Sequence, residues 1–202
     1  MDVDEVWNVI DEQRSDLCDL LETLTPEQWE TPSLCEGWRV RDVAAHLTFA
    51  HGTLGEVLPE VLRAGLSFNR MIDRTARKRA AVLTEADIID RIRGFVGSRR
   101  HAVGVTHIEP MLDILVHGQD IARPLGIARP IPAEAAAVSA SRAWDSSFPW
   151  RSKRKFAGYE LIADDVDWRR GAGKPVRGPI SEILLTVTGR PAGQMALTGL
   201  SA

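Results

Sequence analysis

Few residues in this sequence could cross-link the chain, and no long apolar run is present. Of 202 residues two are cysteine, Cys18 and Cys35, and one is tyrosine; aromatics make up 6%. A chain this long buries enough surface to fold without disulfides, so two cysteines point to a reducing, cytoplasmic setting. No stretch approaches the roughly 18 uninterrupted apolar residues of a membrane span. The first residues, "MDVDEVW", are acidic and begin a helical pattern at once, unlike the basic-then-apolar start of a secretion signal. There is no basic excess either. With a net charge of −3 and no long Lys/Arg run, binding nucleic acid by phosphate neutralisation is not expected. What is present is a globular balance, 44% hydrophobic and 26% charged, in a length sufficient for one good-sized domain or one domain with a small appendage.

Apolar residues recur at helical spacing over most of the chain. Helices are predicted over Val3–Leu24, in a short turn from "LTPEQW" capped by Thr25, and over Trp38 to about Leu62. Further helices are predicted over Arg70–Val82, in "LTEADIIDRIRGFV" behind a Thr84 cap, over Thr106 to about Ala122, and after Pro132. Helix after helix with short breaks predicts a bundle. Beyond about Trp150 the character changes. "RSKRKF" reads as an exposed connector, "GYELIADDVDWRRG" as two short strands and a turn, "GPISEILLTVTGR" as a helix, and "QMALTG" as a last strand. The expected organisation is a mainly α bundle over residues 1–150 and a small α+β appendage over 151–202.

The chemistry-bearing stretch is "MLDILVHGQDIARPLG". Asp113 and His117 stand four apart, on one helix face beside much aliphatic surface. Such a pair is a surface ion pair, a helix hydrogen bond or half of a divalent-metal site. A third ligand would have to come from another helix. His46 in "GWRVRDVAAHLTFAHG" is the best placed, with His51 next. Asp42 and His46 repeat the same spacing, although Asp42 also suits the first turn of a helix. His101 and His107 read as surface or turn residues. Asp120 could accept from a ligand imidazole or pair with Arg123. Trp38, Trp144 and Cys18 read as packing, and Cys35 as a loop residue with little prospect of a chemical role. Arg70, Arg74, Arg77, Lys78 and Arg79 read as a solvated face.

"GWRVRDVAAHL" followed by "LDILVHGQDIARPLG" resembles the DinB-like metalloproteins, an up-down four-helix bundle fold. Within them it resembles the mycothiol-dependent maleylpyruvate isomerase family. The resemblance extends to "VRGPISEILLTVTGRPA" in the tail. It implies a zinc or other divalent ion held by His46, Asp113 and His117, and mycothiol as thiol co-substrate activated as a thiolate. It also implies a small electrophilic substrate, with isomerase or S-transferase chemistry. The alternative is a metal- or small-ligand-binding protein without catalysis. Asn69 is a candidate for the cofactor by resemblance, and Arg177 and Arg190 because guanidinium forks match polar oxygens. No nucleic-acid or membrane partner is expected, and the reading leaves room for a homodimer. Two positions depart from the family pattern: Asp113 stands where the isomerase usually has glutamate, and Arg39 stands where relatives often have a Ser or Thr cap.

Overall fold

The structure, a computed structural model, describes residues 1–200. It is mainly helical, with one small sheet. Two compact units divide the chain: Val3–Arg129, and Pro130 onward together with Met1–Asp2. The division falls well before residue 150, where composition alone places it. Among the described residues no helix is long and apolar enough to cross a membrane.

In the Val3–Arg129 unit the helices are α1 (Val3–Glu22), α2 (Pro26–Trp29), α3 (Val40–Leu47), α4 (Leu54–Arg63), α5 (Phe68–Val82), α6 (Glu85–Arg93) and α7 (Ile108–Ala122). The predicted long helix from Trp38 to Leu62 is two helices, α3 and α4. The Thr48 hydroxyl bonds back to the Ala45 carbonyl at 2.7 Å and closes α3. A new start follows at Thr53, whose backbone N–H donates to Glu56 at 2.9 Å. This side-chain capping competes with continuation of the helix.

Helix α3 is the hub of this unit. It packs on α5, α6 and α7, while α1 packs on α6 and α7. The core is largely aliphatic: Ile10, Leu17, Ile88, Ile92, Met111 and Leu115 are fully buried. Helix α7 has buried residues at almost every position from Pro110 to Ala122, so it runs through the interior rather than along the surface. Gly118 lies inside it because the Arg129 guanidinium occupies the adjacent space; a Cβ there would come within 2.4 Å of Nη1. Arg129 is in turn held on α1 by Asp16 at 2.9 Å and by the Gln13 carbonyl at 2.8 Å.

The second unit holds α8 (Ala133–Asp145), α9 (Ser152–Lys155), β1 (Gly158–Ala163), β2 (Arg169–Gly171), β3 (Gly173–Gly178), α10 (Ile180–Val187) and α11 (Pro191–Gln194). The strand order is β2-β1-β3, with β1 antiparallel to β2 and parallel to β3. Helix α8 belongs here because it packs on α10, and because Trp168 Nε1 donates to Ser141 at 2.8 Å. The predicted connector "RSKRKF" is helical in α9, where buried Ser152 donates to the Val187 carbonyl at 2.7 Å. The predicted last strand is not one. "QMALTG" spans the end of α11 and a turn, and joins β3 only through an isolated bridge between Arg177 and Thr198.

Candidate metal centre

Two helices of the first unit bring the candidate donors together. On α3, Val40, Val43, Ala44 and Leu47 are buried, and His46 lies beside that face with its side chain 14% exposed. Asp42, three residues after the N-cap Arg39, accepts the Arg39 backbone N–H at 2.9 Å and fixes the helix start. Arg39 then turns its guanidinium onto the same carboxylate, Nε to Oδ2 at 2.9 Å and Nη2 to Oδ1 at 3.0 Å. Asp42 is therefore a structural charge and leaves the site to His46. Burial alone would raise the Asp42 carboxyl, but the Arg39 hydrogen bonds outweigh it and hold the group below its ordinary value.

On α7, Asp113 and His117 share a face, as their spacing requires. Asp113 Oδ1 lies 3.3 Å from His117 Nε2 and 3.5 Å from His46 Nε2. The imidazoles of His46 and His117 meet edge to face, with centroids 4.9 Å apart. Burial pushes the Asp113 carboxyl up, yet the two imidazoles more than offset this and hold it well below the carboxylate range. His117 is shifted up against its own desolvation, chiefly by Asp113.

The other nitrogen of His117 is fixed from behind. Nδ1 lies 2.8 Å from Oδ2 of Asp120, which is fully buried one turn on. The Cys35 thiol donates to the same oxygen at 3.1 Å. Asp120 is thus placed to orient the ring, and Arg123 Nε donates to Gln119 at 2.8 Å. Gln119 in turn donates to the Arg129 carbonyl at 2.6 Å.

Two trios of donors therefore share His117, and their spacings separate them: His46, Asp113 and His117 on one side, Cys35, Asp120 and His117 on the other. In the second trio the contacts to Asp120 have hydrogen-bond lengths, so protons hold it together. In the first, 3.3 and 3.5 Å are long for good hydrogen bonds. They match the edge of a tetrahedron with bonds of about 2.0–2.1 Å, which is about 3.3 Å for zinc with N and O ligands. Two nitrogens, one carboxylate oxygen and a buried carboxylate behind one ring make a donor set suited to a divalent ion.

The other expected site residues have their own local surroundings. Asn69 is exposed in the first turn of α5. Arg177 and Arg190 belong to the second unit. Arg177 lies on β3 with Asp164 at 3.7 Å, and Arg190 donates to the Thr188 carbonyl at 2.8 Å. His51 packs on Phe95 with ring centroids 4.0 Å apart, and burial pulls its pKa down to about 4. Trp38 lies against the His46 ring at 5.5 Å, pinned by its Nε1 donating to Asp73 at 2.8 Å. Cys35 is the contact that sequence reasoning passed over. Its partner is 85 residues away, and no local pattern marks it.

Residues 10–109 match the family model for the mycothiol maleylpyruvate isomerase N-terminal domain. That match marks residues 10–109 as a domain of the mycothiol maleylpyruvate isomerase N-terminal type. The match includes His46 and stops just short of Asp113 and His117. Two solved structures share the fold over the whole chain: a mycothiol-dependent maleylpyruvate isomerase, TM-score 0.70, and a histidine-to-alanine mutant of such an enzyme, TM-score 0.68. Each is 15% identical, with 100% of this chain and 95% of the other covered. No curated protein matches the sequence.

The centre makes one prediction about its support. Asp120→Asn removes the charge behind His117 and leaves a group that can donate as well as accept. Zinc affinity, read by competition with a chromogenic chelator, is expected to fall about 10–100-fold. An unchanged affinity would show that Asp120 has no part in ligand orientation.

Proposed function

We propose that this chain is a metal-dependent, thiol-using enzyme of the mycothiol maleylpyruvate isomerase type. In this reading His46, Asp113 and His117 hold one divalent ion, zinc being the best match. The observation that carries the reading is that Asp113 Oδ1 stands 3.3 and 3.5 Å from the two imidazole Nε2 atoms, close to the edge of a zinc coordination tetrahedron. When bound, the ion would lower the pKa of a thiol at its open position, so that mycothiol is presented as a thiolate at neutral pH.

The chain's own residues prepare that site. Asp120 accepts the Nδ1 proton of His117, which leaves the Nε2 lone pair aimed at the side of Asp113. Cys35, hydrogen-bonded to Asp120, steadies that carboxylate from the loop before α3. Trp38 limits the freedom of the His46 ring. The aliphatic surroundings of α7 strengthen the charge interactions within them. Asp113 is one methylene shorter than glutamate, and close packing of α7 on α3 brings its carboxylate within reach of both imidazoles.

The test adds mycothiol and maleylpyruvate to zinc-loaded protein and follows both compounds. Conversion of maleylpyruvate without net loss of thiol is expected, faster than with His46→Ala. Thiol consumption with a bimane electrophile, without isomerisation, would assign S-transfer instead. Rates equal to the uncatalysed ones with both electrophiles would contradict an enzyme of either kind.

A further inference from the structure

Helix α4 turns its charged side inward and its leucines outward. Leu54, Leu58 and Leu62 recur every four positions and form one stripe, with half-buried Val57 and Val61 beside it. The helical period puts Glu56, Glu60 and Arg63 on the opposite side. The residue this helix buries is Glu60. Its carboxylate meets Lys78 and Arg74 of α5 at 3.2 and 3.8 Å, with Arg63 of α4 itself at 3.0 Å. Glu56 also faces α5, 3.9 Å from Arg79. A surface helix of a monomer ordinarily does the reverse, with its apolar stripe on the core.

The apolar face continues past the helix. The Leu66 N–H donates to the Val61 carbonyl at 3.0 Å and holds Leu66 at the end of α4, and Phe68 opens α5 two residues on. Leu66 sits in left-handed backbone, at φ 60°, which is unfavourable for leucine, and still points its side chain into solvent. Leu54, Leu58, Leu62, Leu66 and Phe68 are each between 47% and 75% exposed. At roughly 150–200 Å² for a large apolar residue they leave roughly 450–600 Å² of apolar surface, the upper end for a monomer's largest patch. Two such faces together would bury roughly 900–1,200 Å² before any polar rim is counted, the size of a specific interface.

We propose that this face is a self-association surface, through which two copies of the chain pair about a two-fold axis at Leu58. Leucines four apart form a single ridge, and two such ridges interdigitate with the helices crossing at about −50°. About that axis Leu54 of one copy meets Leu62 of the other, so the stripe is its own complement, as a closed dimer requires. The charges agree with this partner. The stripe carries none, so two copies meet without like-charge contact, and Glu56, Glu60 and Arg63 stay on the far side of the helix. An anionic lipid surface fits less well. Helix α4 offers it two carboxylates against one guanidinium, and Arg74 and Lys78 of α5 are turned onto Glu60. The inference stands independently of the metal reading.

The test is sedimentation equilibrium of the intact chain across the micromolar range. Wild type is expected to dimerise there. Leu58→Glu puts a carboxylate from each copy on the axis and should weaken pairing by about 1,000-fold, because a central contact is worth about thirty-fold and the axis counts each substitution twice. Met195→Glu changes a side chain that is 89% exposed in the second unit, outside this face, and should leave the dimer intact. Leu58→Lys should also be monomeric, and mixing it with Leu58→Glu should restore dimers, since opposite charges then meet on the axis. The melting temperature of wild type should rise with protein concentration, and that of Leu58→Glu should not. Circular dichroism of Leu58→Glu should match wild type, because the change lies on the surface. Wild type that stays monomeric would overturn the proposal, as would dimers that survive Leu58→Glu. Monomers that sediment with phosphatidylglycerol vesicles, and cease to do so in Leu58→Glu, would overturn it by assigning the face to lipid.

Discussion

His117→Ala is expected to purify without stoichiometric zinc, where wild type carries about one ion per chain. His117 is the residue both trios share, and its ring is the one held from behind by a buried carboxylate. If a four-ligand zinc site is worth about 10–16 kcal/mol, each donor supplies about 2.5–4 kcal/mol, roughly 60- to 700-fold in affinity. Truncation also leaves the Asp113 carboxylate facing a single imidazole and the Asp120 carboxylate without its nearest donor. The effect should be specific. His101→Ala and His107→Ala, changed outside the cluster, should keep the ion, and so should His51→Ala. Metal analysis after gel filtration checks all four. Full zinc in His117→Ala would mean that the ligand set is different.

The second large effect concerns the fold. Asp42→Ala is expected to cost about 3 kcal/mol, in the range for breaking a buried charge-assisted network, and to lower the melting temperature by about 6–12 °C. Asp42 is fully buried and accepts one backbone and two guanidinium contacts from Arg39. Without it, α3 loses its N-terminal anchor and His46 loses part of its support. Asp42→Asn retains an acceptor for the Arg39 N–H and should cost less. The pH dependence has a definite sign. The Asp42 carboxyl lies below its ordinary value in the folded chain, so folding favours the charged form. Its stabilisation is full above the unfolded value of about 3.9 and is lost as the pH falls through the lower folded value. The stability gap between wild type and Asp42→Asn should therefore be constant near neutrality and narrow in acid. A gap that widens in acid would contradict this assignment.

The candidate donors on α7 are legible because their spacing is local, whereas His46 comes from another helix. A four-residue spacing puts Asp113 and His117 on one face, a further three brings Asp120 under the ring, and both helices are strongly periodic. The parts that were not legible depend on contacts remote in sequence. Nothing in the apolar pattern of α1 shows that Arg14 goes inward, since its burial is decided by Phe95, 81 residues on. The break between α3 and α4 depends on the Thr48 hydroxyl capturing the Ala45 carbonyl and the Glu56 carboxylate capturing the Thr53 N–H, against a pattern that otherwise continues. Strand β3 is "GKPVRG", with Gly and Pro where strands prefer branched residues. It is tolerated because it is an edge strand, and its pairing with β1 is parallel and non-local. The sheet in turn claims α8, which is why the compact units part at Arg129 rather than at the change in composition.

The measurement that bears most directly on the centre is X-ray absorption at the zinc edge, on loaded protein before and after adding mycothiol. Without the thiol, the account predicts a shell of nitrogen and oxygen at about 2.0–2.1 Å with imidazole scattering, and on adding it one sulfur at about 2.3 Å. Sulfur already present before any thiol is added would place Cys35 on the ion. That would transfer the site to the trio around Asp120, contradicting the account.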